Sequence, residues 1–329
     1  MMLARRRFLL LAVGSTAIPV VSRIAAAQAF PSQPLTIVVT TGAGGPSDLI
    51  ARVVAESMRA TLGRPVIIEN AGGIGTVGMD RVARAKPDGH TLVFSVSFST
   101  HVVHGAIHKL PYDVINDFKP VALVTESPQM ILAKKALPAN DLKGLIDWLK
   151  ANPDRASLGQ TGPGSPAHVT GLLFQKLTGT RFLFANYRSA GQAMQDLIAG
   201  HIDLMFVAPN IALEHVRAGS IKVFAVTDKI RLTAAPDVPT VDEAGLPGFY
   251  AAPWQAFWAP GGTPSEVIAI LNTAVMDALA DERVRKRLGD LGLTIVQRER
   301  QTPEALGTFQ RAEIERWWPI LREAGIKAE

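Results

Sequence analysis

Leu35-Thr36-Ile37-Val38-Val39 runs into Thr40-Thr41-Gly42-Ala43-Gly44-Gly45-Pro46-Ser47-Asp48, and beyond it Leu49, Ile50, Val53, Val54 and Met58 recur at helical spacing. The first five residues read as a buried strand and the last five as one face of a helix, joined by a glycine turn. The unit then repeats. Gly63 ends the helix, Pro65-Val66-Ile67-Ile68-Glu69 forms a second strand and Thr76 to Ala85 a short helix. Lys86-Pro87-Asp88-Gly89 turns the chain into a third strand, His90-Thr91-Leu92-Val93-Phe94. Such alternation predicts an α/β fold built on mainly parallel sheets flanked by helices.

Farther along, Val121 to Ala133 is apolar and extended and leads into a new series of units. Helices are expected at Asp141 to Ala151, 166–178 and 190–199, with strands near Phe182, at Ile202 to Phe206 and at Lys222 to Thr227. Pro236, Pro239 and Pro247 punctuate a long loop, a second extended run follows at Ala256 to Pro260, and helices close the chain at 264–280, 281–290 and 303–324. Two extended crossings bracket the middle block, so the chain leaves one domain, builds another and returns. The expected division is 30–124 with 255–329 as a discontinuous first domain and 125–254 as the second, with a hinge and a central cleft between them.

The chain has 329 residues, 47% of them hydrophobic and 19% charged, which excludes a disordered protein. Arg5, Arg6, Arg7 and Arg23 are the charged residues of the first 29, so 34 basic side chains fall to 30 against 29 acidic ones in the remainder. That near-neutral body lacks the positive excess of a nucleic-acid binder. The chain has no cysteine, which removes thiol catalysis, disulfides and thiolate-bound metal. Arg5-Arg6-Arg7-Phe8-Leu9, the apolar stretch Leu9 to Val21 and Ala27-Gln28-Ala29 have the order of a twin-arginine export signal, cut after Ala29. About 13 apolar residues make only ~20 Å of helix, too short for a hydrocarbon layer of about 30 Å. The mature protein is therefore expected in the periplasm.

The Gly42 to Asp48 corner exposes backbone N–H groups at the start of a helix, where a partial positive charge favours an anion. No Gly-Lys-Ser/Thr follows, so it is not a phosphate-splitting loop. Gly73-Ile74-Gly75-Thr76-Val77-Gly78 matches G-x-G-x-x-G, but no acid lies between Asp88 and Asp113 to take a ribose hydroxyl, and a dinucleotide site is rejected. His101, His104 and His108 would share a helical face; Gly105 interrupts them and no carboxylate accompanies them, which favours surface or loop-anchoring histidines over a metal site. His168 follows Gly162-Pro163-Gly164-Ser165 and reads as a hydrogen-bonding residue at a helix start, since no G-x-S-x-G supplies a nucleophile. Thr161 to Ser165 and Tyr187-Arg188-Ser189-Ala190-Gly191 are further strand-to-helix corners, which should face the first across the cleft. Arg188 could pair with a carboxylate, and Phe98 and Trp254 could line the pocket.

Over nearly its whole mature length the chain resembles the periplasmic solute receptors of tripartite tricarboxylate transporters, the Bordetella uptake receptor family. The match is carried by Gly44-Gly45-Pro46-Ser47-Asp48, Gly63-Arg64-Pro65-Val66, Ala85-Lys86-Pro87-Asp88-Gly89-His90-Thr91-Leu92 and Lys109-Leu110-Pro111-Tyr112-Asp113. It continues through Asp237-Val238-Pro239-Thr240, Glu243-Ala244-Gly245-Leu246-Pro247-Gly248, Ala259-Pro260-Gly261-Gly262-Thr263-Pro264 and Ala324-Gly325-Ile326-Lys327.

The resemblance implies a hinged two-domain periplasmic binding protein, not an enzyme. It would act as a monomer without cofactor or metal, closing on a small organic carboxylate and delivering it to the subunits of a membrane permease. It nominates Gly44, Gly45, Ser47 and Asp48, then Ser97 and Phe98, then Thr161, Gly162, Ser165 and His168, and finally Tyr187, Arg188, Ser189 and Ala190 as the ligand site. Ser47 stands where the family often has threonine and Phe98 where it often has a small polar residue. Arg188 to Gly191 and Val207-Ala208 also depart from its usual pattern. The more apolar lining points toward an aromatic or otherwise less polar acid rather than citrate. Two other readings remain: an exported hydrolase using His168 with a nearby hydroxyl, and a carboxylate receptor that serves signalling.

Overall fold

The computed structural model describes residues 30–72, 75–291 and 293–325. The export signal expected over residues 1–29 lies outside them, as do Gly73 and Ile74 of the glycine motif and Ile326-Lys327 of the C-terminus.

The chain opens with β1 (Leu35–Val39), α1 (Pro46–Leu62), β2 (Val66–Asn70), α2 (Thr76–Ala83) and β3 (Thr91–Ser95). A π-helical segment, Phe98–Val103, continues directly into the short α3 (His104–Ile107). Next come β4 (Phe118–Glu126), β5 (Met130–Lys134), α4 (Leu142–Ala151), β6 (Ser157–Gln160), α5 (Pro166–Thr178), β7 (Leu183–Asn186) and α6 (Ala190–Ala199). β8 (Leu204–Val207), α7 (Pro209–Arg217) and β9 (Ile221–Val226) complete the middle block. The chain returns through β10 (Trp254–Pro260), α8 (Ser265–Ala280), α9 (Glu282–Asp290), β11 (Thr294–Ile295) and α10 (Pro303–Glu323).

Two sheets result, with strand orders β11-β4-β10-β3-β1-β2 and β7-β6-β8-β5-β9, and each is the centre of one lobe. β1 pairs in parallel with β2 and β3, and β6 with β7 and β8, as βαβ units require. The sheets are nevertheless mixed. β10 runs antiparallel to both β3 and β4, and β5 antiparallel to β8 and β9. The reason is connectivity: a strand that returns from the second lobe beside one that left for it must run the other way. The extended run Val121 to Ala133 is thus two strands in different sheets, bridged by Ser127-Pro128-Gln129.

The two crossings are fastened to each other. Ser127 N–H donates to Pro253 O at 2.9 Å. Buried Thr227 accepts from Gln129 N–H at 2.8 Å and donates to Ala251 O at 2.6 Å through the same hydroxyl. Strand alternation sets the layers. Leu35, Ile37 and Val39 of β1 point to α1 and α8, whereas Val38 points to the face that carries α2. A single cluster of buried side chains extends from Val38 and Trp258 in the first lobe through Trp254 and Trp317 to Phe174 and Phe206 in the second.

β6, with only four residues including Gly159, carries too short an apolar pattern to stand out in the sequence, and α7 lies where no helix is expected from it. Pro209 at the first position of α7 was a usable start signal. The glycine of the rejected dinucleotide motif has a packing role: a Cβ on Gly78 would sit 3.1 Å from Ala71 and 3.3 Å from Val38, so α2 lies close against β1.

Phe174 is fully buried, with ring centroids of Phe206 and Phe249 at 5.5 and 5.4 Å. Phe174→Ala is expected to cost about 3–5 kcal/mol, from lost burial and the cavity left behind, read as a lowered urea midpoint.

Candidate functional site

Helices in both sheets start at the ends of strands, and four of those starts converge. Pro46 of α1 comes from the first lobe, and Pro166 and Ala167 of α5, Ala190 of α6 and Asn210 of α7 come from the second; all line one cavity of about 230 Å³. Val96, Pro253, Gln255 and Leu293 close it from the first lobe and the crossings, Ala193, Met205, Phe206, Val207 and Ile211 from the second. Every lining residue is uncharged. Helices α1 and α7 begin at Gly45 and Ala208 with no side chain accepting from their first-turn amides; proline at the first position removes one donor, and in α7 Ile211 N–H is taken by Ala208 O at 3.1 Å, which leaves Asn210 N–H as the donor there. The site is therefore positive by virtue of main-chain dipoles.

A second chamber of about 260 Å³ shares Val96, Thr161 and Pro166 with the first. It is rich in hydroxyls, from Thr40, Thr41, Ser99, Thr100, Thr161 and Ser165, and Thr41 Oγ1 is buried without a partner. Together the chambers make one cleft with a polar and an apolar end.

The first corner is held by Asp48, 2% exposed, which accepts from Gly44 N–H at 2.8 Å, Arg52 Nε at 3.0 Å and Asn70 Nδ2 at 3.0 Å. Burial would raise its pKa, but these bonds from Arg52, Gly44 and Asn70 outweigh it and leave the carboxyl below its ordinary value. Asp48 thus shapes the loop, and the Gly44 amide is spent on it. Gly45 N–H is turned inward to Gly42 O, and the Ser47 side chain is buried. What this corner offers a ligand is the start of α1 itself.

Thr161 lines both chambers, and Ser165 lines the hydroxyl one while donating to Gln160 Oε1 at 3.0 Å. Gly162 N–H is also given to Gln160 Oε1. His168 lines neither chamber: its Nδ1 accepts from Gly164 N–H at 3.1 Å and its ring meets Phe184 edge-on. Ala190 lines the apolar chamber; Ser189 caps α6 by accepting from Gln192 N–H, and Arg188 is exposed. Tyr187 turns away and donates its hydroxyl to Asp196 at 2.7 Å.

Three nominated aromatics and hydroxyls belong to the core instead. Phe98 is 2% exposed and packs edge-on against Trp317, because the π-helical segment that begins there rolls it under α10. Ser97 accepts from Trp258 Nε1 at 3.0 Å, tying β10 to the end of β3. Trp254 is fully buried beside Trp258 and Phe309. The histidines also differ from the expectation of a surface or loop role. His101 is fully buried and stacked on Trp258 with centroids 4.2 Å apart, and His104, 5% exposed, lines the hydroxyl chamber. Residues that sequence reading missed are Ser127, Gln129 and Gln255, all on the cavity wall; their signal was polarity inside otherwise apolar crossings.

The family model described as tripartite tricarboxylate transporter family receptor matches residues 50–326. The chain belongs to this family. The Bordetella pertussis protein BugT is 34% identical to this receptor over 92% of both chains. The solved periplasmic binding protein BugD is 35% identical, with TM-score 0.76, over 91% of this chain and all of its own. MatC of Rhodopseudomonas palustris, solved with bound malate, is 38% identical, with TM-score 0.77, over 89% of the receptor and all of its own chain. The family is one of solute-binding receptors, and its members are periplasmic binding proteins.

Burial holds His104 and His168 at about 4, the charge of His108 adding to the effect on His104, and holds His101 well below its ordinary 6.5. The unfolded chain therefore binds these protons first. The receptor's stability should be full above pH 6.5 and fall as pH drops toward 4, His104 alone contributing on the order of 3 kcal/mol. Urea midpoints across that range, with His104→Asn flattening the decline, check it.

Proposed function

We propose that the receptor captures a small organic carboxylate in the cleft between its lobes and delivers it, chemically unchanged, to the permease of a tripartite tricarboxylate-type transporter. One observation carries the reading: helix N-termini from both lobes meet at a cavity lined without a single charged side chain. Main-chain amides there suit a carboxylate, hold it weakly enough to release it, and are far from the anchored charge of a permanent ion pair. A ligand touching both lobes binds the closed form better than the open one and so draws the equilibrium toward closure. MatC, which carries malate, supports the same chemistry in a relative.

The domains run 30–124 with 255–329 and 125–254, and closure bends the Ser127 to Gln129 and Ala251 to Pro253 crossings. Thr161, Ser165 and Ala190 and the first-turn amides of α1 form the contact set. Export by a twin-arginine signal cut after Ala29 puts the receptor in the periplasm. Capture is favoured over hydrolysis by two bonds, since His168 Nδ1 is occupied by Gly164 N–H and the Ser165 hydroxyl by Gln160. Neither group is free to work as base or nucleophile.

Calorimetric titration of the mature chain with a carboxylate panel should give one-to-one binding and a raised melting temperature, with no product formed. Absence of binding by every acid, or turnover of any, would contradict the proposal. Closure can be probed at Gly164, which has φ +78° and whose added Cβ would lie 2.7 Å from Ile107 Cδ1 across the cleft. Gly164→Ala should lower the melting temperature through its left-handed backbone, a strain of roughly 1–2 kcal/mol common to open and closed forms, and should weaken ligand binding through the Ile107 clash, which exists only where the lobes approach.

A further inference from the structure

The apolar chamber contains a set of polar atoms that the fold leaves unanswered. Gln129 Oε1, Gln255 Oε1 and Ser127 Oγ are all buried without a hydrogen-bond partner, and all three residues line the chamber. Gln129 is 3% and Gln255 9% exposed. Other buried amides in the chain are engaged. Gln310 donates to His101 O and Val114 O, Gln301 to Val296 O, and Asn272 to Val121 O and Gln301 O. A buried unpaired carboxamide costs stability, so its presence on a cavity wall calls for a partner that arrives from outside.

The three sit together by topology. Gln255 pairs in register with Thr125 on β4, Ser127 follows two residues on and is bonded to Pro253, and Gln129 precedes Met130, which pairs with Val207 at the mouth of α7. They therefore form the floor of the cleft along the two crossings. Met205, Val207, Ile211 and Leu293 line the same chamber, and no lysine, arginine or histidine does.

We infer that Ser127, Gln129 and Gln255 read an uncharged hydrogen-bonding group on the ligand, so that the receptor selects monocarboxylates with a compact apolar body and a hydroxyl or similar neutral group at the far end. A hydroxyl both donates and accepts, and so matches two carboxamides and a serine. A second carboxylate only accepts, so it would leave the carbonyl oxygens of both carboxamides unanswered, and it would lose its water without gaining a cation. The ligand's apolar body is accommodated by the aliphatic walls, and its carboxylate by the first-turn amides of α1 together with Thr161. The inference rests on the carboxylate-capture reading and narrows it.

The test compares matched acids by calorimetry on the mature chain: benzoate, 4-hydroxybenzoate and terephthalate, and hexanoate, 6-hydroxyhexanoate and adipate. In the series that binds, the hydroxy acid should exceed the plain acid about tenfold and the dicarboxylate by at least that. Gln255→Leu and Gln129→Met, near in volume and checked for unchanged melting temperature, should each erase most of the hydroxyl advantage while leaving the plain acid's affinity within a factor of two or three. A dicarboxylate that binds tightest, or a hydroxyl preference untouched by both variants, overturns this inference and leaves carboxylate capture standing. If no acid in either series binds, the capture reading falls together with it.

Discussion

The first-turn amides of α1 and α7 lack side-chain caps, and the geometry of the cleft is arranged around that deficit. A helix start buried without acceptors is ordinarily a liability, because each unpaired N–H has lost water. Here proline at the first position of α1, α5 and α7 removes one donor and fixes the backbone, and Pro46, Pro166 and Asn210 line one cavity. Asp48 serves this arrangement from behind. By accepting from Gly44, Arg52 and Asn70 it locks the loop and neutralises Arg52 locally, so that no side-chain cation competes with the dipoles. The result is a site able to attract an anion whose strength depends on two lobes being brought together.

The crossings convert that convergence into a mechanism. Thr227 binds both of them, and Ser127 joins one to the other, so the strands between the lobes are tied as a pair. Because Gln129 and Gln255 lie on the same pair, a group that engages the floor of the cleft acts where the lobes pivot. The long terminal helix adds a brace. α10 packs beneath the π-helical segment, and Lys176 of α5 pairs with Glu323 at its end, so contact between lobes extends well beyond the cleft.

The sequence displayed the site's framework more clearly than its lining. Strand-to-helix corners at Gly42–Asp48, Thr161–Ser165 and Tyr187–Gly191 all fall at helix starts, and each reaches the cleft, the third through Ala190 alone. Individual side chains were harder to assign. Phe98 and Ser97 follow the end of β3 where a ligand loop would lie, yet a π-helical turn carries them into the core. His101 and His104 have a polar look in sequence but are buried, one of them by stacking on Trp258, 157 residues away along the chain by their numbering. Tyr187 is drawn off by Asp196, a partner no local pattern identifies.

Local sequence determined the α/β class, most helix and strand positions, the neutral body and the glycine-proline corners, because hydrophobic period and turn chemistry act over a few residues. Family membership was also written there, in the order and spacing of short motifs. Tertiary structure decided the rest. It made the sheets mixed, since a returning strand must oppose the one that left. It chose which corner residues face the cleft and which support them, and it gathered Ser127, Gln129 and Gln255 onto one wall. The mixed sheets and the shared wall depend on pairings between residues far apart in the chain, such as Met130 with Val207 and Gln255 with Thr125, which periodicity within a window does not encode.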